Sequence, residues 1–488
     1  MTFDVIVRGG RLATEPGAPL RDIGVSGGLI AEIAEEIAAP AAEEIDASGL
    51  HVLTGGVDPH VHLDDPGRTH WEGFALGTSA LAAGGVTTCI DMPLNASPPT
   101  VDARSFELKL AAGSRASMID FALWGGLIPG NREDMDDLAE RGVIGFKAFM
   151  CHGGLEDFPP ADDLTLYEGM ERAAALGLLV GVHAENETIT RELTARARAA
   201  GKHAMRDWAA ARPIVAETEA IRRAIGFAEE TGCALHVVHV STGRGVALVT
   251  EARARGVDVT CEVCPHHLIL TEEDGERLGM IAKCAPPLRA ASQTDAMWAG
   301  VVSGEVPMVV SDHSPVPASA KRGDDVFAAW GGIAAGQSTM ELLLTESVAA
   351  GRIPLDSVGD LFGAAAARRF VLPGKGRVEV GYDADLALVD LEDTRELSDG
   401  ELRQRHSYSP FTGWTLRARV IRTILRGQTI SRVGRPAVSR PLGRMIDPRE
   451  VRTPPATSAA SLAGSAASPA GSAASLAAPA APPAPSAA

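Results

Sequence analysis

Two histidines, His60 and His62, stand two residues apart in Asp58-Pro59-His60-Val61-His62. In an extended strand this spacing sends both imidazoles to one face, where two neutral nitrogens can hold a divalent cation. Lys147 lies inside the apolar run Gly145-Phe146-Lys147-Ala148-Phe149-Met150. Burying an ammonium is costly unless it is paired or neutralised, so two readings stand. Either the lysine reaches solvent or a carboxylate, or its neutral amine has taken up CO₂ and become an anionic ligand bridging two metals. His183, His239 and Asp312 end further apolar runs, Val180-Gly181-Val182-His183, Val237-Val238-His239 and Val309-Val310-Ser311-Asp312. His236, three residues before His239, turns to the opposite face by strand alternation, for packing or a supporting contact. Any one of these groups could be structural. Together they place metal-ligand types at the ends of several strands.

Short apolar runs at residues 57–63, 86–92, 119–124, 143–149, 178–183, 234–240, 257–263 and 307–311 read as eight strands. Helical periodicity lies between them, at 71–83, 164–176, 217–230 and 245–254. Near-continuous apolar strands suit a parallel sheet covered on both faces. The repeats predict an α/β fold, a (β/α)8 TIM-like barrel over residues 54–370, with an open six- or seven-stranded sheet as the alternative. A barrel would bring the strand ends, and so the candidate ligands, to one mouth. Residues 1–53 and 371–447 read as short strands with glycine turns, at 4–8, 21–25, 30–33, 44–47, 377–380, 385–390 and 418–426. We expect them to pair into one small β-sandwich domain split across the chain.

The 488 residues include 45 basic and 63 acidic side chains, a net charge of −18, which argues against nucleic acid as a partner. No long uncharged apolar run precedes the tail, so no membrane span is expected. The start, Met1-Thr2-Phe3-Asp4-Val5, enters an alternating strand and does not resemble a secretory signal, so a cytoplasmic protein is expected. Residues 448–488, uncharged from Thr453 onward and rich in Ala, Ser and Pro, are expected to be a disordered tail. Cys261-Glu262-Val263-Cys264 before His266 and His267 invites a zinc or redox reading, but no second Cys-x-x-Cys completes a structural site, which favours buried thiols. Neither a Gly-x-x-x-x-Gly-Lys phosphate loop nor a Gly-x-Ser-x-Gly elbow occurs.

Over residues 3 to 435 the chain resembles the cyclic amidohydrolases of the amidohydrolase superfamily, and within them the allantoinase branch. The resemblance is carried by Gly56-Val57-Asp58-Pro59-His60-Val61-His62 with Asp65-Pro66-Gly67-Arg68-Thr69-His70-Trp71-Glu72-Gly73. It continues in Asp91-Met92-Pro93-Leu94-Asn95, the Lys147 segment, Lys283-Cys284-Ala285-Pro286-Pro287-Leu288-Arg289 and Ser311-Asp312-His313-Ser314-Pro315. It implies two divalent metal ions, zinc by type: one on His60, His62 and Asp312, the other on His183 and His239, with N6-carboxylated Lys147 bridging them. It implies hydrolysis of a cyclic amide, the cations activating water and polarising the ring carbonyl. Asp312 would pass the water proton to the departing ring nitrogen. With allantoin as substrate the product is allantoate, a step of purine breakdown.

The resemblance also bears on substrate choice. Dihydroorotases carry an arginine for the substrate carboxylate two residues after the second histidine. Asp64 stands there and would repel a carboxylate, so a neutral cyclic ureide is expected. Hydantoinases and dihydropyrimidinases, the alternative activity, typically carry a tyrosine five residues after the bridging lysine, where this chain has His152. Asn95, Ala285 and Gly332 are the further candidate substrate contacts, the last two through backbone groups. A homotetramer acting on a small molecule is implied. A non-catalytic scaffold relative is the rival from another class, and the presence of all six ligand residues disfavours it.

Overall fold

Alternating residues at the N-terminus form β1 (Phe3–Leu12), β2 (Leu20–Ser26), β3 (Leu29–Ala34), β4 (Ala41–Asp46) and β5 (His51–Thr54). The coordinates are a computed structural model that describes residues 2–450. The barrel strands follow: β6 (Gly56–Val61), β7 (Val86–Asp91), β8 (Asp120–Leu123), β9 (Gly125–Gly126), β10 (Gly145–Phe149), β11 (Leu179–His183), β12 (Leu235–Val237), β13 (Val259–Val263) and β14 (Met308–Val309). Every residue of β6, β7, β8, β10 and β11 is buried, as expected where helices cover one face and side chains fill the other.

The strand expected at 119–124 forms as β8, and β9 continues it just beyond that range after a break at Trp124. β8 pairs with β7 and β9 with β10, and Ile144 N donates to Leu123 O at 3.0 Å, carrying the ladder across the break. From β9 to β14 the strands then pair in parallel, each with its successor in the chain. Closure occurs beyond β14. Val61 bridges to His313, His62 N donates to His313 O at 2.8 Å, and Ser311 N donates to the Asp58 carboxylate at 3.2 Å. These contacts exclude the open sheet. Helices at Phe74–Ala83, Asp163–Ala175, Ile214–Thr231 and Gly243–Ala254 lie close to their expected ranges. Two of them start where Asp162 and Thr242 cap the N–H groups of Thr165 and Gly245.

The chain ends with β15 (Leu386–Asp390), β16 (Arg395–Glu396), β17 (Thr415–Leu416), β18 (Arg419–Leu425), β19 (Gln428–Arg432) and β20 (Arg435–Pro436). β15 pairs with both β5 and β18, so N- and C-terminal segments share one nine-stranded sheet. β1 pairs with β4 along its first half and with β5 at its end, and the sheet folds over a core that includes Val7, Ile23, Ile45, Leu386 and Ile424.

No strand forms at 377–380. Gly374, Gly376 and Gly381 hold φ of 77°, 78° and 94°, a left-handed turn region, and Lys375 is drawn inward instead. Its ammonium meets Asp120, Asp383 and Asp385 at 2.6, 2.8 and 2.7 Å, tying the start of β8 to the sheet. After β20 the chain returns to the barrel, where Ile446 N donates to Phe121 O at 2.8 Å. Residues 448–450, expected to begin the tail, are described, and Arg449 donates to Asp447 at 2.7 Å. The rest of the expected tail lies outside the described residues. Among the described residues no helix is long and apolar enough to cross a membrane.

Candidate metal centre and active-site cavity

The barrel brings the candidate ligands together at the strand ends. The rings of His60 on β6 and His62 just beyond it have centroids 5.5 Å apart. Their Nε2 atoms approach Asp312 Oδ1 at 3.2 and 3.4 Å. His183 ends β11 and His239 follows β12, and His183 Nδ1 lies 3.1 Å from His239 Nε2. The His60 and His239 rings are 5.3 Å apart, which joins the two groups. His239 and Asp312 have φ of 37° and 45°, strained for residues with side chains, so backbone strain is stored where these two groups are presented.

Lys147 on β10 is 1 % exposed, and its amine has no hydrogen-bond partner among the described residues. Burial pushes its pKa down to about 7, against the pull of Glu262 and Asp312, so much of the amine is neutral near pH 7. Burial likewise lowers His62 to about 4 and lowers His183 and His239, which keeps these imidazoles neutral. Burial alone would raise Asp312, and only positive charge where it faces His60 and His62 holds the carboxyl well below the usual range; with both rings neutral, a bound cation would supply that charge.

Two buried glutamates orient the rings. Glu262 accepts from Nδ1 of His60 and, at 2.9 Å, from Nε2 of His236, whose Nδ1 lies 2.7 Å from Thr260 Oγ1. Glu185 Oε2 accepts from His183 Nε2 at 2.8 Å and from Arg212. With those protons placed, His60 Nε2 faces a carboxylate and His183 Nδ1 faces a second imidazole, each as a lone pair. Electron-rich atoms so close, beside an unpartnered amine, fit a set of donors for divalent cations. Glu185 and Glu262 were missed by the sequence reading. The available signals were a glutamate two residues after His183 and another inside a barrel strand.

These groups open into a cavity of about 420 Å³ lined by His60, His62, His183, His239 and Asp312. Asn95, His152, Ala285 and Gly332 also line it, whereas Lys147 does not. Asp64 departs from expectation, being 1 % exposed and absent from the cavity wall. Its φ of 59° turns it away, and burial near Asp91 and Glu72 pushes its carboxyl well up. A carboxyl buried away from the cavity, with its ionisation disfavoured, does not face a bound substrate, so rejection of dihydroorotate cannot rest on Asp64. All six cysteines are free and buried. Cys264 lies close to His266 and His267, but His267 Nε2 is engaged with Pro286 O at 3.0 Å.

The amidohydrolase family model matches residues 51–430. An allantoinase from Rubrobacter xylanophilus is 55 % identical over 447 residues, 92 % of this chain and 98 % of that protein. An Escherichia coli allantoinase is 42 % identical over 450 residues, 91 % of this chain and 99 % of that one. Among solved structures, an L-hydantoinase (dihydropyrimidinase) from Arthrobacter aurescens has a TM-score of 0.89 at 35 % identity, covering 91 % of this chain and all of its own. With a closed barrel, histidines and an aspartate gathered at its mouth, and likeness along nearly its whole described length, the chain belongs to the amidohydrolase family, in its allantoinase group.

Proposed function

We propose that this protein hydrolyses the ring amide of allantoin, giving allantoate. The observation that carries this reading is the convergence of four histidines, Asp312 and the buried amine of Lys147 at one end of the barrel, in a chain 55 % identical to an allantoinase. His60, His62 and Asp312 would hold one divalent cation and His183 and His239 the other, zinc in each case, with a carbamate on Lys147 between them. Such cations supply Lewis acidity, making water acidic enough to attack near neutral pH and polarising the ring carbonyl.

The remaining work belongs to the chain. Burial keeps the Lys147 amine partly neutral, the form whose lone pair adds to CO₂; a proton leaves as the N–C bond forms, and the product is an anion. Glu262 and Glu185 hold two imidazoles with their lone pairs turned inward. Asp312, held ionised, takes the proton of the attacking water and delivers it to the ring nitrogen as the C–N bond breaks. Asn95, Ala285 and Gly332 form the wall that would orient the ring.

The test gives the metal-reconstituted protein allantoin, hydantoin, dihydrouracil and dihydroorotate in parallel. Allantoin is expected to turn over fastest. A hydantoinase or dihydropyrimidinase is the second reading, supported by the Arthrobacter aurescens structure, and faster turnover of hydantoin or dihydrouracil would select it. No turnover of any ring would overturn the enzymatic reading in favour of a scaffold. Light scattering on the same sample checks the homotetramer.

A further inference from the structure

Arg212 is a cation in the cavity wall that has no part in the ligand assignment above. It sits between the helices Met205–Ala211 and Ile214–Thr231, and Arg289 Nη1 donates to its carbonyl at 2.6 Å, which fixes the backbone. The side chain is held chiefly at two points, with a weaker contact from Nη1 to Cys151 Sγ at 3.8 Å. Nη1 donates to Glu185 Oε2, the same oxygen that accepts from His183 at 2.8 Å. The guanidinium also rests on Trp208, with Cζ 4.3 Å from the ring centroid, and Trp208 is anchored by its Nε1 donating to Cys284 O at 2.8 Å. Arg212 and Trp208 are each 8 % exposed, and both line the cavity that contains His183 and His239. Arg212 Nη2 makes no hydrogen bond among the described residues and, unlike the buried Nε, is not sealed off from the cavity that Arg212 lines. A guanidinium has five N–H donors and no acceptor. A rigid donor with an unused N–H in a cavity wall calls for an acceptor oxygen on the ligand.

We propose that Arg212 is a substrate-binding residue that donates to the carbonyl oxygen of the exocyclic ureido arm. This rests on the allantoin reading. Allantoin and hydantoin share the ring, but only allantoin carries –NH–CO–NH₂, on the ring carbon next to the carbonyl carbon under attack. The arm therefore lies near the residues that handle that carbonyl, and Arg212 is one glutamate oxygen away from His183. A planar fork of donors suits a planar urea, and Trp208 adds a flat apolar surface. Glu185 already supplies the counter-charge, so the arm can be neutral.

The test measures kcat/KM for allantoin and hydantoin in wild type, R212Q and R212K, with metal content determined for each. Where hydantoin is bound but not turned over, its inhibition constant against allantoin takes the place of its kcat/KM. R212Q is expected to lower the allantoin value about tenfold to a hundredfold more than the hydantoin value, the usual effect of a hydrogen bond from a charged donor. R212K, which keeps a cation for Glu185 but loses the fork, should fall between R212Q and wild type. Equal losses on both rings in both variants overturn the proposal, because Arg212 then acts only through Glu185 or on a group both rings share. If R212Q does not fold or hold metal, the R212K ratio decides. Wild type that leaves allantoin intact overturns the allantoin reading and this inference together, whereas unchanged ratios beside normal allantoin turnover overturn this inference alone.

Discussion

Glu262 accepts the Nδ1 proton of His60 and thereby leaves Nε2 of that ring as the lone pair facing Asp312 Oδ1, 3.2 Å away. The glutamate is fully buried and is pulled down to about 2: burial would raise it, but His60 and His236 outweigh that cost. As an anion it makes His60 a more basic ligand. Glu262→Gln keeps the size and an acceptor but removes the charge. Metal affinity should fall about tenfold to a hundredfold, read by competition with a chelator, while the fold persists. Unchanged affinity would reduce Glu262 to packing.

Lys147→Ala removes the amine that would bridge the two ligand groups. The variant should lose most of its bound metal and activity, measured by elemental analysis and allantoin turnover. Wild type reconstituted with labelled bicarbonate should show a carbamate carbon by NMR that the variant lacks. Retention of metal and activity by the variant would rule out a carboxylated lysine.

Lys283 and Lys321 are buried without carboxylate partners among the described residues, and burial lowers each to about 7. Lys321 donates to Gly332 O at 2.5 Å and to Lys283 O at 3.2 Å, and Lys283 donates to Ala329 O, clasping the segment that carries Gly331 and Gly332 into the cavity wall. The folded pKa lies below the unfolded value, so the unfolded chain binds more protons between about pH 7 and 10.5. Stability from these groups therefore rises through that window and is lost as pH falls through about 7. Lys321→Met should flatten the rise in urea midpoint between pH 7 and 9.5. An unchanged slope would show that Lys321 titrates normally.

Lys375 shares its ammonium among Asp120, Asp383 and Asp385 and is itself fully buried. Lys375→Met leaves three buried carboxylates without their common cation. Removing one partner of a buried charge cluster costs about 3–5 kcal/mol. We expect a lower urea midpoint with metal content per folded chain intact, because the cluster contacts none of the ligand residues. Adding Asp120→Asn should recover part of the loss.

Much of this molecule could be read along the chain. The eight barrel strands were visible as apolar runs, and His60, His62, Lys147, His183, His239 and Asp312 as ligand types within or just beyond them, because strand period and residue chemistry are local properties. Pairings between distant residues left no local trace. Glu262 meets His60 across 202 positions, and the barrel closes where His313 bridges to Val61. The side to which Asp64 turns depends on a single positive φ, and 377–380 forms no strand because Lys375 is needed inside a cluster contributed partly by β8. Nothing in its local sequence marks Arg212; only packing places it on Trp208 beside Glu185. By itself the sequence determined which groups could do the chemistry. Only the tertiary structure decided how each is oriented and neutralised, since hydrogen-bond partners and burial are set by how elements pack, not by where they fall in the chain.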